Sequence, residues 1–168
     1  MLTFDNIGVC EDSIKIVWCN RRIIKRILTN ACNRIDSNKI IELIKKYKTY
    51  LPINTKAITL IWENRNFEMF ELLINIFGKN LPIDKKLVNQ ICKNNNTEIV
   101  KKLMSVFGKD LPIDENAIYE TCKNGNFEIL EMLVKLFKSD LPIDEREILN
   151  LGLSDQIKKL LFDYDLIF

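Results

Sequence analysis

Histidine is absent from this 168-residue chain. Its absence removes Ser/His/Asp and Cys/His catalysis, His-ligated zinc and the commonest general base near neutral pH. Glycine and proline are sparse, at five and four residues, and no Gly-rich phosphate-binding motif occurs. No apolar run approaches the roughly 18 residues that a bilayer span requires. The five cysteines, Cys10, Cys19, Cys32, Cys92 and Cys122, include no CxxC pair. An odd number of unpaired thiols fits a reducing, intracellular and cytoplasmic setting. Residues Met1 to Gly8 carry Asp5 and lack a basic stretch leading into an apolar one, so no secretory leader is expected. The sequon Asn95-Asn96-Thr97 is then incidental.

What is present describes a folded protein. A hydrophobic fraction of 47% with 29% charged residues is that of a globular chain, and the length suits one domain across 1–168. Leu-Pro-Ile recurs at Leu51-Pro52-Ile53, Leu81-Pro82-Ile83, Leu111-Pro112-Ile113 and Leu141-Pro142-Ile143, always 30 residues apart. A fixed period of this kind implies units that cannot bury their apolar faces alone and therefore stack. The clear units are 51–80, 81–110 and 111–140. A divergent unit at 21–50 and a shortened one at 141–168 flank them, and residues 1–20 form a lead-in with a capping helix expected around Ser13 to Trp18.

Each unit reads as two helices. Proline fixes the entry, and Asn54, Asp84, Asp114 and Asp144 stand where they can cap a first helix. Asn124-Gly125 supplies turn chemistry at its exit. Asn66, Asn96 and Asn126 can cap the second helix, with Glu68, Glu98 and Glu128 placed for the helix dipole. Second helices carry the apolar stripes Met69, Phe70, Leu73, Ile74, Phe77; Ile99, Val100, Leu103, Met104, Phe107; and Ile129, Leu130, Leu133, Val134, Phe137. Gly78 and Gly108 then end two of them. In the first unit, Ile23, Leu28, Ala31 and Cys32, then Ile40, Leu43, Ile44 and Tyr47, fill the same frame. In the last, Ile148, Leu151, Ile157, Leu160, Leu161 and Tyr164 fit if about three residues are deleted near Gly152. The fold class expected is all-α, an α-solenoid of stacked helix-turn-helix repeats.

The run from Cys122 through Asn124-Gly125-Asn126, Glu128, Ile129-Leu130 and Leu133-Val134 resembles the ankyrin repeat. Asn126 takes the usual histidine place, Thr121-Cys122 the paired alanines, and Ala117-Ile118 the apolar start of the first helix. Ile91-Cys92 through Met104 is a weaker copy. The unit has 30 residues where ankyrins have about 33, and it lacks both the Thr-Pro-Leu-His tetrapeptide and the Gly-Ala-Asp ending. Such short units look most like those of large DNA viruses of amoebae, which also suits a composition rich in Ile, Lys and Asn. The resemblance covers roughly 21–164 and implies reduced β-hairpins; the residues themselves, without histidine and with cysteines too far apart to share an ion, point to no cofactor and no metal. The resemblance also implies a non-enzymatic adaptor for another protein, a host protein in the host cytoplasm if the source is viral.

Candidate contacts follow from the frame. The outward positions of successive first helices are Lys56, Thr59, Glu63, Lys86, Asn89, Lys93, Asn116, Tyr119 and Lys123, with Tyr119 expected to be exposed. Cys32, Cys92 and Cys122 share one inner position, in different layers, and read as small buried hydrophobes. Trp62 occupies that position in its own unit and is expected to fill a gap against the irregular first unit, while Trp18 seals the first layer. Charge is uneven: residues 1–50 hold ten basic and five acidic groups, and residues 111–168 six and twelve. Arg21, Arg22, Lys25 and Arg26, then Lys45, Lys46 and Lys48, form the densest basic patch. A nucleic-acid partner is not expected, because no RNP-like motif accompanies it. The alternative function is a structural or self-assembling protein whose basic and acidic ends associate weakly.

Overall fold

Short polar side chains set the helix starts. Asn54, Asp84, Asp114 and Asp144 each accept a hydrogen bond from the backbone N–H three residues on, at 2.8, 2.9, 3.3 and 3.1 Å. Asn66, Asn96 and Asn126 do the same at 3.2, 3.2 and 3.0 Å. Every expected cap is therefore made. Asp36 and Ser154 add two that the sequence frame had not marked.

A computed structural model of the chain describes residues 11–167, with side chains from Asn20 onward. Among the described residues the chain is all-helical, with ten α-helices and no strand. Single 3₁₀ turns follow the second helices at Lys48–Tyr50, Gly78–Asn80, Gly108–Asp110 and Lys138–Asp140. No described helix is long and apolar enough to cross a membrane. Two compact units are resolved, the first ending at Pro82 and the second beginning at Ile83.

In the first unit, α1 (Glu11–Asn33) packs on α2 (Ser37–Tyr47) and on α3 (Thr55–Glu63), and α3 packs on α4 (Phe67–Phe77). The expected capping helix is part of α1, which runs through a break at Asn20 (φ −114°, ψ 17°) into the first helix of the divergent unit. The side chains of Trp18 and Cys19, and all of Cys10, lie outside the described residues. One apolar assignment changes: Ile23 is 51% exposed, and Ile24 is buried with Leu28, Ala31 and Cys32. The first repeat has no Leu-Pro-Ile turn, so the helix continues through position 24 and the i, i+4, i+8 stripe starts there.

In the second unit, α5 (Lys85–Lys93) packs on α6 (Thr97–Phe107) and on α7 (Glu115–Lys123). Helix α8 (Phe127–Phe137) contacts α6, α7 and α10 (Asp155–Asp163), and the short α9 (Glu145–Leu149) rests on α7. The buried residues of α10, Ile157, Leu160 and Leu161, match Leu130, Leu133 and Val134 after the expected shift of three. Within the stripes, Met104 is half-buried and the remaining members are buried.

The turns inside three of the pairs, α1–α2, α3–α4 and α7–α8, are Schellman closures. Gly125 N–H donates to Cys122 C=O at 3.0 Å and Asn126 N–H to Thr121 C=O at 3.1 Å, satisfying carbonyls the helix leaves open. Arg65 and Asn66, and Ile35 and Asp36, repeat those bonds. Asn126 thus closes one helix through its backbone and opens the next through its side chain. Amides also tie neighbouring repeats: Asn64 donates to Cys32 C=O at 3.2 Å, and Asn124 to Lys93 C=O at 2.9 Å.

Candidate functional site

Burial separates two polar surfaces in the second unit. On the second helices, charge is matched across repeats. Lys101 on α6 reaches Glu128 on α8 at 2.8 Å and Glu98 on its own helix at 3.3 Å, which together raise the lysine's pKa. Lys109 meets Asp140 at 2.6 Å, and this hydrogen-bonded cation holds the Asp140 carboxyl below its usual range. Solvent and salt screen exposed pairs of this kind, so they add little to stability. They also leave this surface with little charge unanswered.

The first-helix ridge differs. Its members Lys86, Asn89 and Lys93 lie on α5, and Asn116, Tyr119 and Lys123 on the adjoining α7, so the structure brings these six together. Lys56, Thr59 and Glu63 hold the corresponding positions on α3 of the first unit. Lys56, Glu63, Lys86, Lys93, Asn116 and Lys123 are exposed, as the frame required. Thr59, Asn89 and Tyr119 are half-buried, which corrects the expectation of an exposed Tyr119. Their position sits where a first helix meets its neighbour, so adjacent helices cover one side of each. Lys123 Nζ stands 5.6 Å from the centre of the Tyr119 ring, within cation–π range, and Lys93 pairs with Glu120 at 3.6 Å.

Asn89 and Gln90 carry the anomaly of this ridge. Their side-chain oxygens, Oδ1 and Oε1, are buried and accept no hydrogen bond from the described residues. Neither Thr59 and Leu60 nor Tyr119 and Glu120, one repeat away on either side, shares the defect. Sequence reasoning selected Asn89 by register but had no signal for its missing donor.

The remaining candidates resolve simply. Cys32, Cys92 and Cys122 are buried free thiols whose pKa values burial pushes up to about 11, 11 and 12. They are poor nucleophiles there. Trp62 is buried, with its ring 5.1 Å from Phe67 and 5.4 Å from Phe70, so it packs on the second helix of its own repeat. No cluster of three or more Cys, Asp or Glu groups able to hold a metal occurs among the described residues. Arg21, Arg22, Lys25 and Arg26 are all exposed on α1. Arg21 also lines a cavity of about 280 Å³ with Tyr50, Leu51, Pro52, Phe77 and Asn80, a feature the sequence did not announce. No protein-family model, no curated protein and no solved structure matches this chain.

Proposed function

We propose that the chain is a non-enzymatic interaction module that presents its first-helix ridge to another protein. The fold behind this reading is an α-solenoid of short ankyrin-like repeats over 21–164. It is supported by the 30-residue recurrence of capped helix pairs and by the packing of α5 on α7 and α6 on α8. Rigid helix pairs fix the ridge side chains before a partner arrives, so little ordering entropy opposes association. The likeness of the unit to viral repeats points to a host protein as partner and to the host cytoplasm as the place of contact.

The observation that carries the reading is the line of exposed polar side chains, Lys86, Lys93, Asn116 and Lys123, that the packing of α5 on α7 brings together. The half-exposed Tyr119 beside Lys123 adds an amphipathic anchor of the type enriched at interfaces.

The test is a comparison of two variants in partner capture from host lysate, with bound proteins identified by mass spectrometry. Lys93→Glu with Lys123→Glu should abolish capture while helicity and melting temperature stay nearly constant, since both side chains are exposed and such changes usually alter stability by under about 0.5 kcal/mol; Tyr119→Ala, at a half-buried position, is judged only with its own melting curve. Arg21→Glu with Arg22→Glu and Lys25→Glu should leave capture intact. Capture that survives the ridge changes and fails with the second set sinks the assignment.

A further inference from the structure

A cavity of about 280 Å³ lies in the first unit, where Arg21 interrupts the repeat. Thirty residues before Leu51-Pro52-Ile53 the chain reads Arg21-Arg22-Ile23. The divergent unit therefore has no Leu-Pro-Ile turn to lay over the next one. The space is lined by the apolar Leu51, Pro52 and Phe77 and by the polar Arg21, Thr49, Tyr50 and Asn80. Its volume falls just below the roughly 300 Å³ at which drug-sized ligand pockets begin, a size for one large side chain. Basic residues flank two of the lining segments along the chain. Arg22, Lys25 and Arg26 are exposed on α1, and Lys45, Lys46 and Lys48 are exposed where α2 ends. An occupant should combine a bulky apolar group with flanking carboxylates.

The same chain carries such a segment. Phe162, in the last turn of α10, is 65% exposed, the highest value of any large hydrophobic side chain described. Asp163 and Asp165 are exposed on either side of the half-buried Tyr164, and residues 111–168 hold twice as many acidic as basic groups. Lys158 and Lys159, one turn earlier on α10, would be repelled by the basic patch, which confines any contact to the helix end.

We propose that Phe162 of one copy seats in the Arg21–Phe77 cavity of a second copy, with Asp163 and Asp165 facing the cations of α1 and α2. The contact joins two different patches, so growth continues past the dimer unless a ring closes. It uses none of the nine ridge residues, and its failure leaves the ridge reading untouched. A single seated side chain buries far less than the roughly 1,200 Å² of a stable interface, so association should be weak, with Kd on the order of 0.1 mM.

Sedimentation of the purified full chain tests this directly. The wild-type average mass should rise with concentration beyond that of a dimer, and the rise should fade as salt goes from about 0.02 M to about 0.5 M. Phe162→Ala should weaken association at least about thirtyfold, the loss of a central aromatic anchor. Arg21→Glu, or Thr49→Trp placed to fill the cavity, should do the same, with circular dichroism confirming the fold of each. The deciding arm mixes the two kinds of variant: Phe162→Ala keeps the cavity and Arg21→Glu keeps the plug. Together they should form a dimer that grows no further. A wild type that stays monomeric at about 1 mM overturns the proposal, as do self-association indifferent to both variants and a mixture that remains monomeric.

Discussion

Lysine and glycine share one backbone conformation at the ends of the second helices, and replacing Lys138 by glycine measures what that costs. Residues 48, 78, 108 and 138 are Lys, Gly, Gly and Lys, each with φ between 48° and 55° and ψ between −133° and −128°. Their N–H groups donate in turn to the carbonyls of Ile44, Ile74, Met104 and Val134. Type II′ turns use this region of φ/ψ and assign it to glycine. A Cβ in left-handed backbone costs about 1–2 kcal/mol, and the greater freedom of glycine when unfolded returns about 0.5–1 kcal/mol of that. Lys138→Gly should therefore stabilise the second unit by about 0.5–1 kcal/mol.

The reciprocal change isolates the backbone term. A Cβ built on Gly108 meets no atom within 4 Å, so Gly108→Ala should destabilise by a similar amount through conformation and not through collision. Lys138→Ala keeps the Cβ and removes only the exposed head group, so it should stay within about 0.5 kcal/mol of wild type. Urea unfolding followed by far-ultraviolet circular dichroism reads all three, provided the m-values agree. A destabilising Lys138→Gly, or a neutral Gly108→Ala, would refute the reasoning.

Leu103 is buried on α6, and Leu103→Ala should cost about 2–5 kcal/mol in the same urea assay; a loss under roughly 0.5 kcal/mol would mean the stripe is misread. Cys32, Cys92 and Cys122 should react slowly with a thiol reagent in the native protein and fast after unfolding. Their raised pKa values favour the protonated native state, so the stability they lend is complete below the ordinary value of 9.0 and is lost as pH rises through about 11 to 12; an unfolding midpoint flat across that interval would contradict the assignment. Ile35→Asn should stabilise the first unit by a few tenths to about 1 kcal/mol, because Ile35 is 53% exposed and holds φ 57° at a helix C′ position that suits asparagine. Lys109→Ala should return the Asp140 titration, followed by NMR, upward to the ordinary carboxylate range.

Local chemistry was legible and neighbour-dependent chemistry was not. Asn54, Asp84, Asn66 and Asn126 could be placed because a cap needs only its own side chain and the next three backbone amides. The same rule would have found Asp36 and Ser154, but no Leu-Pro-Ile or Asn-x-x marker stood nearby to set the register. Ile23 was misplaced because the frame was carried across a position where the first unit has no turn. The half-burial of Thr59, Asn89 and Tyr119 depends on the helix packed alongside, and the cavity at Arg21 on three separated segments. Neither leaves a trace in periodicity.

The backbone repeats more faithfully than the residues do, and this decides which irregularities bear on function. Positive φ occurs at Ile35, Arg65, Asn95 and Gly125, and again at Lys48, Gly78, Gly108 and Lys138, two series each with the 30-residue period. A β-branched residue and a basic one adopt the same turn as a glycine, so packing on both sides imposes the geometry over local preference. The leucines that follow the second series, Leu51, Leu81, Leu111 and Leu141, are all buried and hold each turn against the helices. Strain that recurs with the repeat belongs to the fold, and left-handed backbone here carries no functional message. Arg21 stands where its successors Leu51, Leu81, Leu111 and Leu141 are buried leucines, and it is exposed and lines the cavity instead. A periodic backbone thus separates what the fold imposes at every unit from what a single residue adds to one of them.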